Sequence, residues 1–284
     1  MIFAFIEKHR AEFSVRRMCD VLKVSSSGFY AWLVHEPSQR EQENASLVMD
    51  IRTAYTDSRQ TYGSRRIQAE LQAQGKQVNR KRVARLMRLH GIQAKRKQGY
   101  KRTTQRDTSH EVAPNVLDQK FCAYTINEKW VADITYIATQ EGWLYLATIL
   151  DVYSRKIVGW SMNTRLQKQL VKDALNMAVG RRDIGDDLIH HSDQGSQYTS
   201  HDFRTLLKQH DIQVSMSGAG NCYDNAMMES FFATLKTECV TERFDTRQQA
   251  RQIIFEYIEV WYNRLRRHSA LGYLSPEQYE LQVA

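Results

Sequence analysis

The sequence predicts an α/β fold: a mixed five-stranded sheet with flanking helices, preceded by all-α helix-turn-helix regions. Three observations carry this expectation. Residues 129–163 hold three consecutive runs rich in β-branched and aromatic side chains, "KWVADITYIAT", "GWLYLATILDVYS" and "RKIVGWSMN", the texture of strands. Behind them helical and strand patterns alternate, which gives a mixed sheet covered by helices. Ahead of them, residues 1–110 show helical hairpins and carry 22 Lys+Arg against 10 Asp+Glu, whereas residues 111–284 carry 18 against 22.

The front elements come first. Residues 14–33, "SVRRMCDVLKVSSSGFYAWL", read as two short helices broken at Ser25 to Ser27. Helix, tight polar turn, helix is the helix-turn-helix pattern, whose second helix can enter a major groove. Ser27 and Tyr30 on that second helix are candidate DNA contacts. A second hairpin follows. "YGSRRIQAELQAQG" (62–75) ends at Gly75, and "NRKRVARLMRLHGI" (79–92) starts at Asn79 as N-cap and ends at Gly91. Its apolar stripe is Val83, Leu86, Met87 and Ile92. The other face holds Arg80, Lys81, Arg82, Arg85 and Arg88, a pattern that suits phosphate contact or, more plainly, a solvated face. "KRKQGYKRTTQR" (95–106) reads as a basic extended arm.

The strands of 129–139, 142–154 and 155–163 follow, the first two joined by a turn at Gln140–Glu141–Gly142. Next come a helix at 167–179, a strand at 187–193, a helix at 199–211 and a strand at 212–217. Two long helices close the pattern, 221–240 with Asn221 as N-cap and 247–265. The domain reading is a helix-turn-helix at 1–45, a second such region with its basic arm at 46–106, a linker at 107–120 and a core with a C-terminal helical tail at 121–284.

Composition narrows the function classes. The net charge is +8, and its concentration in the front part points to a polyanion. No run approaches the roughly 18 apolar residues of a membrane span. The start "MIFAFIEKHR" lacks the marks of a signal peptide. Four scattered cysteines, Cys19, Cys122, Cys222 and Cys239, form no CxxC pair and read as free thiols of a reducing cytoplasm.

Chemistry is concentrated in three carboxylates. Asp133 lies mid-strand among apolar neighbours, where an unpaired charge is costly. Asp193 ends the fourth strand in "HHSDQGSQYTS", and ligands of open α/β sheets gather at strand ends. Its plainer role is to cap the turn that follows. Glu229 lies on the long helix, with 35 residues between it and Asp193. Three oxygen donors without a thiolate favour a hard cation, Mg²⁺ or Mn²⁺. Two such ions about 4 Å apart clamp the attacking and leaving oxygens of a phosphodiester. Lys236, two helical turns after Glu229, shares its face and can hold a phosphate, or be an ordinary exposed lysine.

With those residues in view, the chain resembles the insertion-sequence transposases of the two-frame, integrase-like group, related to retroviral integrases. The resemblance rests on "WVADITYI" (130–137), "HHSDQGSQYTS" (190–200), "GNCYDNAMMESFFATLK" (220–236), "YNRLRRHSALGYLSPEQY" (262–279) and the front motifs "EFSVRRMCDVLKVSSSGFYAW" and "YGSRRI". It implies a ribonuclease-H-like fold with Asp133, Asp193 and Glu229 as catalytic metal ligands. Relatives often carry a basic residue before the glutamate helix, where this chain has Ser217-Gly218-Ala219-Gly220. The chain starts at Met1 without a long heptad segment and looks like a downstream-frame product.

The expected function is a DNA transposase that cleaves element ends and joins the freed 3′-hydroxyl to target DNA, using Mg²⁺, two ions per site, with Mn²⁺ as substitute. Its expected partners are double-stranded DNA (terminal inverted repeats and target), further copies of itself on DNA, and the upstream-frame product; no membrane is expected. The rivals are a non-catalytic DNA-binding regulator and a nuclease that only hydrolyses. Four details are also expected. Metal, rather than turn N–H groups, balances Asp193; Gly195 allows a sharp turn; Gln197 touches DNA, and Tyr198 does so or packs in the core; and "IIFEYIEVWY" (253–262) offers an oligomer contact or packs on the sheet.

Overall fold

The computed structural model describes residues 2–34, 36–95, 113–116, 122–218 and 225–283. The expected basic arm beyond Lys95, most of the 107–120 linker, the Ala219–Gly220 pair and the Asn221 cap lie outside these residues. Contacts divide the chain into Met1–Thr53 and Ala54–Ala284.

In the first unit, α1 (Ile2–His9), α2 (Val15–Leu22) and α3 (Ser26–Leu33) enclose a small core of Ile6, Met18, Cys19 and Phe29. The predicted hairpin is α2 and α3. Ser25 caps α3 by accepting the Gly28 N–H at 3.2 Å, which satisfies one of the donors that a helix start leaves free. Ser27 and Tyr30 are both exposed. Two helices were not anticipated, α1 and the 19-residue α4 (Gln39–Asp57), which contributes residues to both units. Its start is legible as S-x-x-E: the Ser38 N–H donates to Glu41 at 2.8 Å and the Glu41 N–H donates to Ser38 Oγ at 3.3 Å.

The second unit begins with α5 (Ser64–Ala73) and α6 (Arg80–Leu89), capped by Asn79, which accepts the Lys81 N–H at 2.8 Å. Val83, Leu86, Met87 and Ile92 are buried as their spacing requires. Arg80, Lys81, Arg85 and Arg88 are exposed and Arg82 is half-buried.

The sheet is formed by β1 (Lys129–Thr139), β2 (Gly142–Asp151), β3 (Ile157–Asn163), β4 (Ile189–Ser192) and β5 (Gln213–Met216), in the order β3-β2-β1-β4-β5. β1, β2 and β3 pair antiparallel, and β4 and β5 add on parallel to β1. Parallel neighbours need crossover connections, and the chain supplies them as α7 (Lys168–Arg181) and as α8 (Ser196–Thr199) with α9 (His201–Gln209). On one face Trp130, Ala132, Ile149 and Val158 pack with Leu170, Leu175, Phe203 and Leu207 of these helices. Gly159 lets α7 approach β3: a Cβ there would meet the Ala174 carbonyl oxygen and, at 2.8 Å, the Ala178 Cβ. The opposite face of β1 meets α10 (Ala226–Glu238) and α11 (Arg247–Glu256). Strand alternation puts Asp133 on that face with Val131, Thr135 and Ile137.

Two expectations need correction, and a third point is decided between its two readings. The helix predicted at 199–211 starts earlier and breaks at Ser200, whose extended backbone (φ −60°, ψ 142°) separates α8 from α9. The helix predicted at 247–265 is α11 continued by a wider, π-helical stretch, Tyr257–Leu265. Wider winding, with i→i+5 bonding, accompanies burial of Tyr257, Ile258, Trp261, Tyr262 and Asn263 together. Asn263 in turn pairs with both the N–H and the carbonyl of Ile157, each at 2.9 Å. The "IIFEYIEVWY" face is therefore mostly interior, with Phe255 and Val260 exposed, so packing rather than an open contact surface describes it. A final helix, α12 (Pro276–Glu280), starts with a Ser275/Gln278 capping box, legible in "SPEQ". Among the described residues no helix is long and apolar enough to cross a membrane.

Candidate active site

Asp133 and Asp193 stand side by side at the carboxyl edge of the parallel pair. The β1–β4 register runs Trp130↔His190 and Val131↔His191. Each aspartate lies two residues beyond that last pair. Burial raises both carboxyls above their ordinary range, and for Asp133, well above it, the negative charges of Asp193 and Glu229 push further. Lys236 pulls the other way. Asp133 Oδ1 accepts the Ile134 N–H at 2.7 Å.

Asp193 also does its plainer job. Its Oδ1 accepts the Gly195 N–H at 3.0 Å, an Asx-type turn. A turn N–H group thus takes one oxygen of Asp193, beside the metal expected to balance its charge. Gly195 has an ordinary backbone (φ −59°). Its value is space: a Cβ there would lie 3.0 Å from Asp193 Oδ1 and 3.3 Å from Gln197 Oε1.

A polar network behind the strand ends fixes this edge. His191 joins Ser215 Oγ through Nδ1 at 2.9 Å and Ser217 Oγ through Nε2 at 3.1 Å. Gln194 Nε2 donates to the Ser217 carbonyl at 2.8 Å, and the Ser217 N–H donates to Ser192 at 3.0 Å. Ser217 is thus an anchor rather than part of an open loop. Sequence reading missed this network, although "HHS" on a buried strand was its signal.

Tyr198 is buried in the core, which settles its two readings in favour of packing. Its hydroxyl is buried without a hydrogen-bond partner among the described residues, and the charges of Asp133 and Asp193 help burial to raise its pKa. His190, beside it, is held neutral by burial, its pKa pushed down to about 3. Gln197 is half-buried next to the Asp193 turn.

Glu229 sits exposed in the first turn of α10, with Lys236 half-buried farther along. Asn225 occupies the N-cap position of the described helix. The two aspartates are together, and Glu229 and Lys236 are within electrostatic reach of Asp133. Among the described residues, however, no three His, Cys, Asp or Glu side chains are gathered closely enough to hold a metal ion as they stand. The donor chemistry itself, carboxylate oxygens and no thiolate, fits a hard divalent cation.

Comparison with known proteins places this site in context. The family described as "Integrase core domain" matches residues 123–222, a second of the same description matches 210–276, and "HTH-like domain" matches 41–100. "Transposase InsF for insertion sequence IS3A" of Escherichia coli (strain K12) is 46% identical over 283 residues, 99% of this chain and 98% of that protein. "Insertion element IS600 uncharacterized 31 kDa protein" of Shigella sonnei is 48% identical over 263 residues, 92% of this chain and 97% of that protein. Among solved structures, a simian T-cell lymphotropic virus intasome aligns with a TM-score of 0.48 at 15% identity, over 75% of this chain and 70% of that one. The HTLV-2 integrase catalytic core domain in complex with magnesium aligns with a TM-score of 0.40 at 15% identity, over 56% and 98%. Near-complete coverage by relatives of almost half identity decides the matter: the chain belongs to the insertion-sequence transposases of the IS3 family, with an integrase core behind a helix-turn-helix-like domain.

Proposed function

We propose that the chain is a DNA transposase of the Asp-Asp-Glu type, with Asp133, Asp193 and Glu229 as ligands of two divalent ions, Mg²⁺ or, in its place, Mn²⁺. The observation that carries this is the level pairing of Asp133 and Asp193 at one sheet edge, two residues past the end of the β1–β4 register. When bound, the ions supply positive charge to the attacking and leaving oxygens of a phosphodiester.

The chain's own residues set the geometry. The Ile134 and Gly195 N–H groups hold one oxygen of each aspartate, and the His191–Ser215–Ser217 network fixes the strand ends beneath them. Glu229, in the first turn of α10, would complete the set. Lys236 holds a phosphate beside the carboxylates. Arg80, Lys81, Arg85 and Arg88 on α6, with Arg82 beside them, and Ser27 and Tyr30 on α3 hold duplex DNA. Gln197 lies next to the strand being cut.

The reaction has two displacements. Water attacks the phosphodiester at the element's end; the new P–O bond replaces the one to the departing 3′-oxygen, which leaves as a hydroxyl. That hydroxyl attacks a target phosphodiester, and one P–O bond again replaces another. Two ends must meet, so the acting species is an oligomer on DNA, joined by the upstream-frame product where that is made.

Incubating the full chain with DNA bearing the element's ends, target DNA and Mg²⁺ tests this. Cleavage and joining together are expected. Binding without nicking would leave a DNA-binding regulator, and cleavage without joining a nuclease.

A further inference from the structure

The α10 helix has a second working face. Glu229 and Lys236 lie on one side, while Ser230, Thr234 and Thr237 line a cavity of about 360 Å³ on another. The lining also draws on three segments far apart in sequence: Arg66 on α5, Lys95 after α6, and Arg155 in the β2–β3 turn. Arg266 and Glu238 also line it. Their charges cancel locally, because the Glu238 carboxylate accepts from Arg266 Nη2 at 2.7 Å and Nε at 2.8 Å. His268, another lining residue, is kept neutral by burial and by the arginines around it. Four cations against one carboxylate leave the lining at a net +3.

Of the three remaining cations, Arg66 and Arg155 are half-buried and Lys95 is exposed. Among the described residues, none of Arg66, Lys95 and Arg155 makes an ion pair with a carboxylate. Arg66 lies over the Tyr62 ring, 5.4 Å from its centroid, and the Tyr62 hydroxyl is fixed by the Arg267 N–H at 2.6 Å. Arg155 projects from a turn that Asp151 braces, accepting the N–H groups of Ser154 at 2.8 Å and Asn127 at 2.7 Å. The Lys95 N–H donates to the Gln60 carbonyl at 3.0 Å. Burial lowers the pKa of both arginines, and for Arg66 the Arg266 charge adds to it. Arginine does not lose its proton in a protein, so an anion is the available relief.

We propose that this cavity binds a backbone phosphate of a nucleic-acid strand, through Arg66, Lys95 and Arg155, with the α10 hydroxyls as further donors. Fixed cations around small hydroxyl side chains match phosphate oxygens. The aromatic rings in the wall, Phe231 and Tyr262, are packed edge-to-face on each other at 4.8 Å, which leaves a base no open platform. The strand rather than a free nucleotide is therefore the occupant. Seated there, it lies against the helix whose other side carries Glu229.

This inference rests on the reading that the chain acts on DNA, and the test separates the two. The affinity of the full chain for a labelled duplex is measured against salt without divalent metal. For the wild type, no DNA binding at all overturns the transposase reading. Arg66→Gln, Arg155→Gln and Lys95→Gln should each flatten the slope of log affinity against log salt by about 0.9, and Arg155→Lys should retain the wild-type slope. Lys95 is exposed, so its variant keeps the test alive should an arginine variant fail to fold. Unchanged slopes in the folded glutamine variants overturn the cavity proposal alone. Protection of the wild type against heating by inorganic phosphate or dAMP, lost in those variants while their slopes stay unchanged, makes it a small-anion site and equally overturns the strand proposal.

Discussion

Asp133→Asn should make the metal-free protein more stable while removing its catalysis. The asparagine Oδ1 keeps the bond from the Ile134 N–H. What disappears is a buried negative charge that faces Asp193 and Glu229. An uncompensated charge in a fully enclosed site costs about 3–5 kcal/mol. Asp133 is only half-buried by surface area, so we take about 1–3 kcal/mol, or a melting temperature higher by roughly 2–10 °C. The pH dependence has a definite sign. A carboxyl whose folded pKa is raised binds its proton more tightly in the folded state. The stability from that proton is complete below the ordinary aspartate range and is lost as pH rises through the raised value. Metal-free wild type should therefore gain stability on acidification in that window, and Asp133→Asn should gain less. Mg²⁺ at about 100 times its dissociation constant adds about 2.7 kcal/mol to the protein that binds it, enough to cancel or reverse the order of melting. Calorimetry or a dye-based melt, with and without Mg²⁺, reads both effects. A metal-free variant less stable than wild type, or a wild-type melt indifferent to Mg²⁺, would refute the reasoning.

Two glycines give further expectations. Gly159→Ala should cost about 3 kcal/mol or more, because the new methyl meets backbone and not a movable side-chain end; a urea midpoint within error of wild type contradicts the β3–α7 packing. Gly195→Ala should leave stability within about 1 kcal/mol, since its backbone is ordinary. The methyl presses on Asp193 Oδ1, so cleavage should fall about tenfold through misplacement of the carboxylate; an unchanged cleavage rate would remove Gly195 from the site's geometry.

Much of the fold was legible because its signals are local. The β1 limits, Lys129–Thr139, follow from alternation within one run and a turn chemistry that ends it. The α6 cap and stripe follow from Asn79 and four spaced apolar residues. The wide turn at Tyr257–Leu265 was not legible, because a run of helix formers does not reveal how it is wound. That depends on Asn263 finding Ile157, 106 positions away. The α4 and α12 helices announce themselves by S-x-x-E and SPEQ capping signals, and were passed over. At the site, Asp133 and Asp193 stood out as charges on or just past buried strands. Their level placement needed the parallel register of β1 and β4, which is a tertiary fact. Tyr198 could face DNA or the core on sequence grounds, and only packing against His190 and Phe203 decides between them. The Arg66, Lys95 and Arg155 cavity had no sequence signature, since its walls come from separate segments.

The central claim is that the acidic edge does chemistry while other surfaces hold DNA. The most direct measurement compares wild type with Asp193→Asn for Mg²⁺-dependent cleavage of DNA carrying the element's ends, with affinity for that DNA measured alongside. The amide is nearly isosteric and can still accept the Gly195 N–H, so the turn survives and the charge does not. Loss of several kcal/mol of transition-state stabilisation is about a thousandfold or more in rate. The account predicts that fall with DNA affinity within about threefold of wild type. Wild-type cleavage by the folded variant would contradict it and leave Asp193 as the cap of a turn.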